Sequence, residues 1–320
     1  MKKKFFSILS LMFVSLMATI SFSSCSQDPE APKDETLNKL HDDPTKIVLT
    51  LASGHFHDVM FHQDADIEGL EYMKSVQTIT YELQEGKGMA IAPGSADKFV
   101  VISGDDDIQS AYGLWIRYYN KKGEEITGHF IENGQDQIHQ HFFIPKDVKP
   151  LGNLSVAEAD DNDPAKFFQY TYMDTTPWDK TLKDAGTKLT GKDNPIGMKG
   201  WFNFMKSRKT FTLNIRLMHA RISKFKDGKT SPFYAPSNAQ KLSDHWDINI
   251  DVPFIVAHSR KEENNWDEDD DVAYNDLGEE SKKMIQAIAT AYGISNEQAL
   301  AAFQTRINHA GAHNHDDLWF

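Results

Sequence analysis

The stretch WDINIDV, residues 246–252, alternates strictly between apolar and polar side chains. A period of two is typical of a strand with one buried and one exposed face. The stretch therefore predicts a core face and a solvent face; Trp246, Ile248, Ile250 and Val252 belong to the first, and Asp247, Asn249 and Asp251 to the second. Similar alternation at residues 78–83 and 113–119 predicts further strands, so the chain is expected to be mostly β.

An acidic break at residues 157–164 separates two predicted β domains, which cover residues 44–156 and 165–258. Both contain short strands and turn signals, and neither has a long helical pattern. This combination is typical of antiparallel sandwiches and barrels. We therefore expect two tandem antiparallel domains, each an Ig-like β-sandwich or barrel-like.

The carboxy-terminal part changes character after an acidic linker at residues 259–275. Apolar residues then recur with the period of an amphipathic helix. A helical hairpin is predicted at residues 276–308, with Gly293 ending its first helix and Ser295 capping the second. Residues 309–320 form a histidine-rich tail.

Eight of the thirteen histidines lie in three short clusters. They are His55, His57 and His62, then His139 and His141, and finally His309, His313 and His315. In a strand, positions i and i+2 lie on the same face, so each His-x-His pair can direct two imidazoles to one ion. We predict that the first five form a metal site and that the three in the tail capture metal more weakly.

Imidazole ligands suit zinc, copper, iron or nickel. Zinc is the expected ion, with copper or iron as alternatives, and the single cysteine excludes a site built of several thiolates. Haem is a further alternative, because four phenylalanines beside the histidines could form its apolar wall or simply pack in a core; they are Phe56, Phe61, Phe142 and Phe143. The isolated His219, His245 and His258 are interpreted as structural.

The net charge of −13 argues against nucleic acid as a partner. The chain has no nucleophile elbow, phosphate loop, dinucleotide fingerprint or His-Glu-x-x-His helix. We therefore expect a binding protein without enzymatic activity. A hydrolase that uses the same histidines to hold a metal is a weaker alternative.

The amino terminus begins with three lysines, continues with an apolar run at residues 5–22 and reaches Cys25, the one cysteine of the chain. This pattern resembles a bacterial lipobox, with Phe22 where leucine or valine is usual. The acidic segment that follows, residues 26–30, resembles the export signal of surface lipoproteins of Bacteroidota. The resemblance implies a signal peptide at residues 1–25, a lipid on Cys25 and a flexible tether at residues 26–43.

Such lipoproteins lie in the outer membrane, face the cell exterior and often accompany a TonB-dependent transporter. The sequence thus predicts an outer-membrane lipoprotein that binds a transition metal ion or haem and passes it to such a transporter. The alternative is a glycan-binding surface lipoprotein of a polysaccharide-uptake system. Its sugars would stack on aromatic side chains, namely Trp115, Trp178, Trp201 and Tyr119.

Overall fold

The computed structural model describes residues 39–62, 76–103, 110–152, 154–161, 163–258 and 271–304. The predicted signal peptide with Cys25, most of the tether, most of the acidic linker and the tail with His309, His313 and His315 lie outside these residues. Within them, strands predominate over helices, which confirms the mostly β class. No described helix combines the length and the apolar character that crossing a bilayer requires.

The described residues form thirteen strands. In chain order they are β1 Lys46–His57, β2 Met60–His62, β3 Val76–Gln84, β4 Gly88–Ile91, β5 Phe99–Ile102, β6 Ser110–Tyr119, β7 His139–Pro150, β8 Phe168–Tyr172, β9 Thr175–Thr176, β10 Lys188–Leu189, β11 Lys199–Phe204, β12 Lys209–His219 and β13 His245–Ala257. Seven of them form an antiparallel sheet, here named sheet A, in the order β4-β3-β1-β6-β11-β8, with β2 paired to β1. Four form sheet B in the order β5-β13-β12-β7, where β5 runs parallel to β13 and the other pairs are antiparallel.

The two sheets share one apolar core. Ile47 and Leu49 of sheet A belong to the same buried cluster as Leu213 and Ile215 of sheet B. The hydroxyl of Tyr81 in sheet A donates a hydrogen bond to the carbonyl of Asp251 in sheet B, at 2.6 Å. The described strands therefore form an open sandwich of two sheets, not a closed barrel.

Strands from both predicted β domains contribute to each large sheet. Sheet A combines β1, β3, β4 and β6 from the first block with β8 and β11 from the second. Sheet B combines β5 and β7 with β12 and β13. The acidic break at residues 157–164 thus divides the chain in sequence, whereas the sheets are built from both sides of it.

The carboxy-terminal helices occur where the apolar period changes. They are Glu279–Tyr292 and Asn296–Gln304, and both contribute to the shared core through side chains such as Met284 and Phe303. Gly293 ends the first helix in the left-handed conformation, at φ 64°, which glycine adopts without a steric penalty. The Ser295 hydroxyl accepts from the Gln298 amide and the Gln298 side chain accepts from the Ser295 amide, which confirms the predicted cap.

Candidate metal centre

Four side chains with metal-binding atoms converge beside sheet B, namely His41, His139, His219 and Asp247. His139 is the first residue of β7 and His219 is the last residue of β12. These two residues are paired across the β7–β12 ladder, so their side chains leave the sheet on the same face. His41 reaches them from the segment that precedes β1.

Asp247 enters this group because of a β-bulge. In the β12–β13 ladder, Leu217 pairs with Ile248 and Met218 pairs with Trp246, so Asp247 has no partner of its own. The extra residue breaks the alternation that the sequence predicts for residues 246–252. The side chain of Asp247 is expected in solvent but has no exposed surface. The side chain of Trp246 is expected on the core face with Ile248 and instead packs on Phe142, with the ring centroids 5.9 Å apart.

Four of the distances between the converging atoms are close to those between ligands of one metal ion. The Asp247 Oδ2 atom lies 3.2 Å from His41 Nε2, 3.3 Å from His139 Nε2 and 3.2 Å from His219 Nδ1. His41 Nε2 and His219 Nδ1 are also 3.2 Å apart. Four ligand atoms bound tetrahedrally to zinc stand roughly 3.3–3.4 Å from one another, given bond lengths of roughly 2.0–2.1 Å.

The outer nitrogens of two of these imidazoles face backbone carbonyls. His139 Nδ1 is 2.9 Å from the Gln135 oxygen, and His41 Nδ1 is 3.1 Å from the Asp42 oxygen. Carbonyl oxygens only accept hydrogen bonds, so each of these nitrogens carries a hydrogen. The inner Nε2 atoms of these rings face the carboxylate of Asp247 and could bind a metal ion. This arrangement, in which the second ring nitrogen donates to a carbonyl, is the usual support for histidine ligands of metals.

The charge states of the group also suit a cation. Burial lowers the pKa of His139 to about 4, so its ring is neutral at pH 7. Burial disfavours the ionised form of Asp247, but hydrogen bonds from His139, His219, His41 and Lys39 hold the pKa of that carboxyl well below its usual range. The Lys39 ammonium lies 2.7 Å from the other carboxylate oxygen, Oδ1. An ionised carboxylate therefore faces the neutral ring of His139.

Water has little access to the cluster. His41 is 7% exposed, His139 is fully buried and His219 is 1% exposed. The Phe130 ring covers one side, with its centroid 4.2 Å from that of His41 and 5.3 Å from that of His139. Among the described residues, the buried Nε2 atom of His219 has no hydrogen-bond partner. Burial strengthens the electrostatic attraction between such a site and an ion.

The predicted site residues have different positions. His139 lies in the cluster, whereas His141 lies one pleat further into the core. His141 Nε2 is 2.5 Å from the Tyr118 hydroxyl and its Nδ1 is 2.8 Å from the Ile196 carbonyl, so both of its nitrogens are engaged. Burial lowers the pKa of His141 to about 3, so this ring too is neutral at pH 7.

The other predicted pair belongs to sheet A. His55 and His57 lie in β1, and His62 in β2 is the cross-strand partner of His55. Their side chains lie outside the described part of the structure. Of the four phenylalanines near the predicted site, Phe61, Phe142 and Phe143 are fully buried. Phe56 stacks on Trp201 at a centroid distance of 4.5 Å.

Three members of the cluster were not predicted from the sequence. His219 was interpreted as structural, although it ends a predicted strand, because the sequence does not give the register that pairs it with His139. His41 was placed in the tether because charged residues surround it. Asp247 was placed on the solvent face because a regular alternation contains no bulge.

A second group of acidic side chains also lies close together, in the loop that precedes β8. It consists of Glu158, Asp160 and Asp161. The Lys206 ammonium lies 2.6 Å from Glu158, 3.2 Å from Asp161 and within hydrogen-bond distance of Asp160. The buried Lys209 ammonium lies 3.0 Å from Asp161. Two ammonium groups thus occupy the positions that a metal ion would need.

No family model, curated protein or solved structure matches the chain. The chemistry of the site therefore has to be argued from its own residues. Three imidazoles and one carboxylate, all buried and convergent, could hold a metal ion. The acidic loop, with its own lysines in place, has no comparable need for one.

Proposed function

We propose that this protein binds one divalent transition metal ion, zinc in the first place, through His41, His139, His219 and Asp247. The observation that carries the proposal is the set of ligand-to-ligand distances of 3.2–3.3 Å around Asp247 Oδ2. At these distances three imidazole nitrogens and one carboxylate oxygen could bind one cation between them.

The ligand set favours particular ions. Calcium and magnesium prefer oxygen ligands in larger numbers, so three imidazoles argue against them. Zinc, copper, iron and nickel accept imidazole, and four close ligand atoms from histidine and aspartate match the number and kind that zinc takes in proteins. Haem fits less well, because its iron takes axial ligands above and below a wide ring, whereas these four atoms lie within 4.8 Å of one another.

A closed set of four protein ligands favours binding over catalysis. Catalytic zinc sites commonly keep one position for water, whereas sites that only bind or stabilise have all four filled by side chains. For the same reason we retain the expectation of a non-enzymatic protein. Surface display on the outer membrane through Cys25, and delivery of the ion to a TonB-dependent transporter, stay predictions from the amino-terminal sequence.

The alternative of glycan binding has less support from the aromatic side chains named for it. Trp201 is 4% exposed, and the Trp178 indole donates to Glu132 at 3.1 Å. The Lys46 ammonium lies over the Tyr119 ring, 4.5 Å from its centroid. Trp201 is therefore buried, whereas Trp178 and Tyr119 are half-buried.

The test is metal content of the full-length protein, purified in detergent without an affinity tag and incubated with zinc. We expect about one zinc per chain in the wild type and a loss of it in the His139→Ala, His219→Ala double variant. His129→Ala is the matched control, because His129 is an exposed histidine outside the cluster. Absence of bound zinc, cobalt, copper, nickel and iron from the wild type would overturn the proposal, as would zinc content unchanged by the double variant.

A further inference from the structure

The ligands of the centre differ in how they are held. His139, His219 and Asp247 lie on three neighbouring strands of sheet B, β7, β12 and β13. Backbone hydrogen bonds connect β12 with both of the other strands along most of their length. These three ligands therefore keep their places as long as sheet B is folded.

His41 comes from a different kind of element, residues 39–43, which we name the arm. Within the part of the chain that the structure describes, residues 39–44 make no backbone–backbone hydrogen bond, and the first such bond is donated by Thr45 to Tyr119. Strand β1 begins one residue later. The arm is therefore not part of either sheet.

The arm is attached mainly through side chains that meet at the centre. Lys39 reaches Asp247 Oδ1 at 2.7 Å, and His41 reaches Asp247 Oδ2 and His219 Nδ1, each at 3.2 Å. Away from the centre, Asn120 donates to the Asp42 carboxylate at 3.3 Å. Leu40, between the two contacting residues, is 62% exposed. The arm thus crosses the site as a single layer of chain.

The carboxylate of Asp247 also lies close to an exposed side chain of β13. His245, the first residue of β13, is exposed on its side chain, and its Nε2 atom is 3.6 Å from Asp247 Oδ1. The His245 side chain therefore lies between bulk water and the Asp247 carboxylate. Movement of the arm alone would bring water to the metal, with no change in sheet B.

We infer that the arm is a detachable fourth ligand, and that its release leaves an ion held by His139, His219 and Asp247 with one open coordination position. The inference rests on the proposed metal binding. Two imidazoles and one carboxylate form a sufficient set of protein ligands for zinc or iron that also binds an exogenous ligand. The open position would take water or a small anion with an oxygen or nitrogen donor.

Cobalt(II) tests this inference, because its visible absorption reports the number and kind of its ligands. The full-length wild type, His41→Ala and the control His129→Ala are loaded with cobalt and titrated with azide. We expect the wild type and the control to give the spectrum of a closed tetrahedral site that azide leaves unchanged. His41→Ala should bind cobalt more than roughly 100-fold more weakly, beyond the loss typical of outer-shell partners, and azide should shift its spectrum.

The outcomes separate the two proposals. If the wild type binds no cobalt and no zinc, the proposed function fails. If the wild type binds metal but a folded His41→Ala variant binds none, or binds cobalt whose spectrum azide does not change, the proposed function stands and the detachable ligand is overturned.

Hydrogen exchange on the wild-type protein serves in case His41→Ala does not fold. Removal of zinc by a chelator should raise exchange at the amide of Thr45, the first hydrogen-bonded amide after the arm, at least about tenfold, while the amides of β12 and β13 stay protected. Equal loss of protection at Thr45 and in sheet B would overturn the inference. So would exchange at Thr45 that does not respond to zinc.

Discussion

The metal centre and the acidic loop of residues 158–161 both bring carboxylates and partners together, but they differ in charge balance. In the loop, Lys206 and Lys209 supply two ammonium groups to three carboxylates. Hydrogen bonds to the three acids outweigh burial and raise the pKa of Lys206, so it stays charged. In the centre, three imidazoles and the Lys39 ammonium surround one carboxylate. The loop offers only oxygen atoms that ammonium groups already bind, whereas the centre also offers three imidazole nitrogens, which transition metals bind.

The largest expected effect concerns zinc and stability. An ion that binds only the folded state at a free concentration 1,000-fold above its Kd raises the free energy of unfolding by about 4 kcal/mol. We expect this gain in the wild type and its absence in Asp247→Asn, because the amide removes the charged ligand. Denaturant unfolding with and without zinc measures it. A gain of the same size in Asp247→Asn would contradict the assignment of ligands.

The acidic loop should behave in the opposite way. Lys209→Met leaves Asp161, 3% exposed, without its buried partner. Breaking one side of a buried ion pair costs about 3 kcal/mol of unfolding free energy, and zinc should not restore it. Lys146→Met is the control, because the Lys146–Asp251 pair is solvent-exposed and contributes about 0–1 kcal/mol. If the two substitutions lowered the free energy of unfolding equally in denaturant unfolding, the expected difference between the buried and the exposed ion pair would be wrong.

A pH series sharpens the same contrast. Burial opposes ionisation of Asp161, but hydrogen bonds from the Glu158 amide, Lys209 and Lys206 outweigh it and lower the pKa of Asp161. A carboxyl with a lowered folded-state pKa stabilises the protein above its ordinary pKa of about 3.9, and this contribution disappears as pH falls through the folded-state value.

Asp161→Asn should therefore lower the free energy of unfolding by about 2 kcal/mol at pH 7. The difference from the wild type should shrink as pH falls below about 4. Denaturant unfolding at several pH values measures it. A difference that is constant from pH 7 to pH 3 would show that the charge of Asp161 is not its cause.

The smallest expected effect concerns the histidines of β1. The His55→Ala, His57→Ala double variant should keep the zinc content of the wild type, because the four proposed ligands include neither residue. Elemental analysis of the two proteins side by side provides the measurement. Loss of zinc in this variant would indicate that the metal site lies at the histidines of sheet A instead.

The sequence predicted what depends on local pattern. Alternation identified β13, the change of period identified the helical hairpin, and the spacing of His139 and His141 directed attention to β7. It did not predict which of these two histidines joins the centre, because positions i and i+2 are roughly 6.5–7 Å apart along a strand. One can reach a given point while the other lies a full pleat away.

The positions of His219 and Asp247 depend on pairing between distant strands, which a local sequence pattern does not contain. His219 joins His139 through the register of β7 with β12. Asp247 turns inward because one residue of β13 is left unpaired. Residues 44–156 and 165–258 are each long enough to form a sandwich of their own. Their strands interleave instead because residues far apart in sequence pack together.

Interleaving also sets an order of events for the growing chain. Strand β5, at residues 99–102, finds its sheet partner in β13, at residues 254–257, and β6 is bordered by β11. Contacts across such sequence separations make folding slow, because a long loop must close before any of them is gained. Neither sheet can be completed until the second half of the chain has emerged. An ion held between His41 and Asp247 would therefore bind only after sheet B has formed, since its ligands meet only after the last strand is in place.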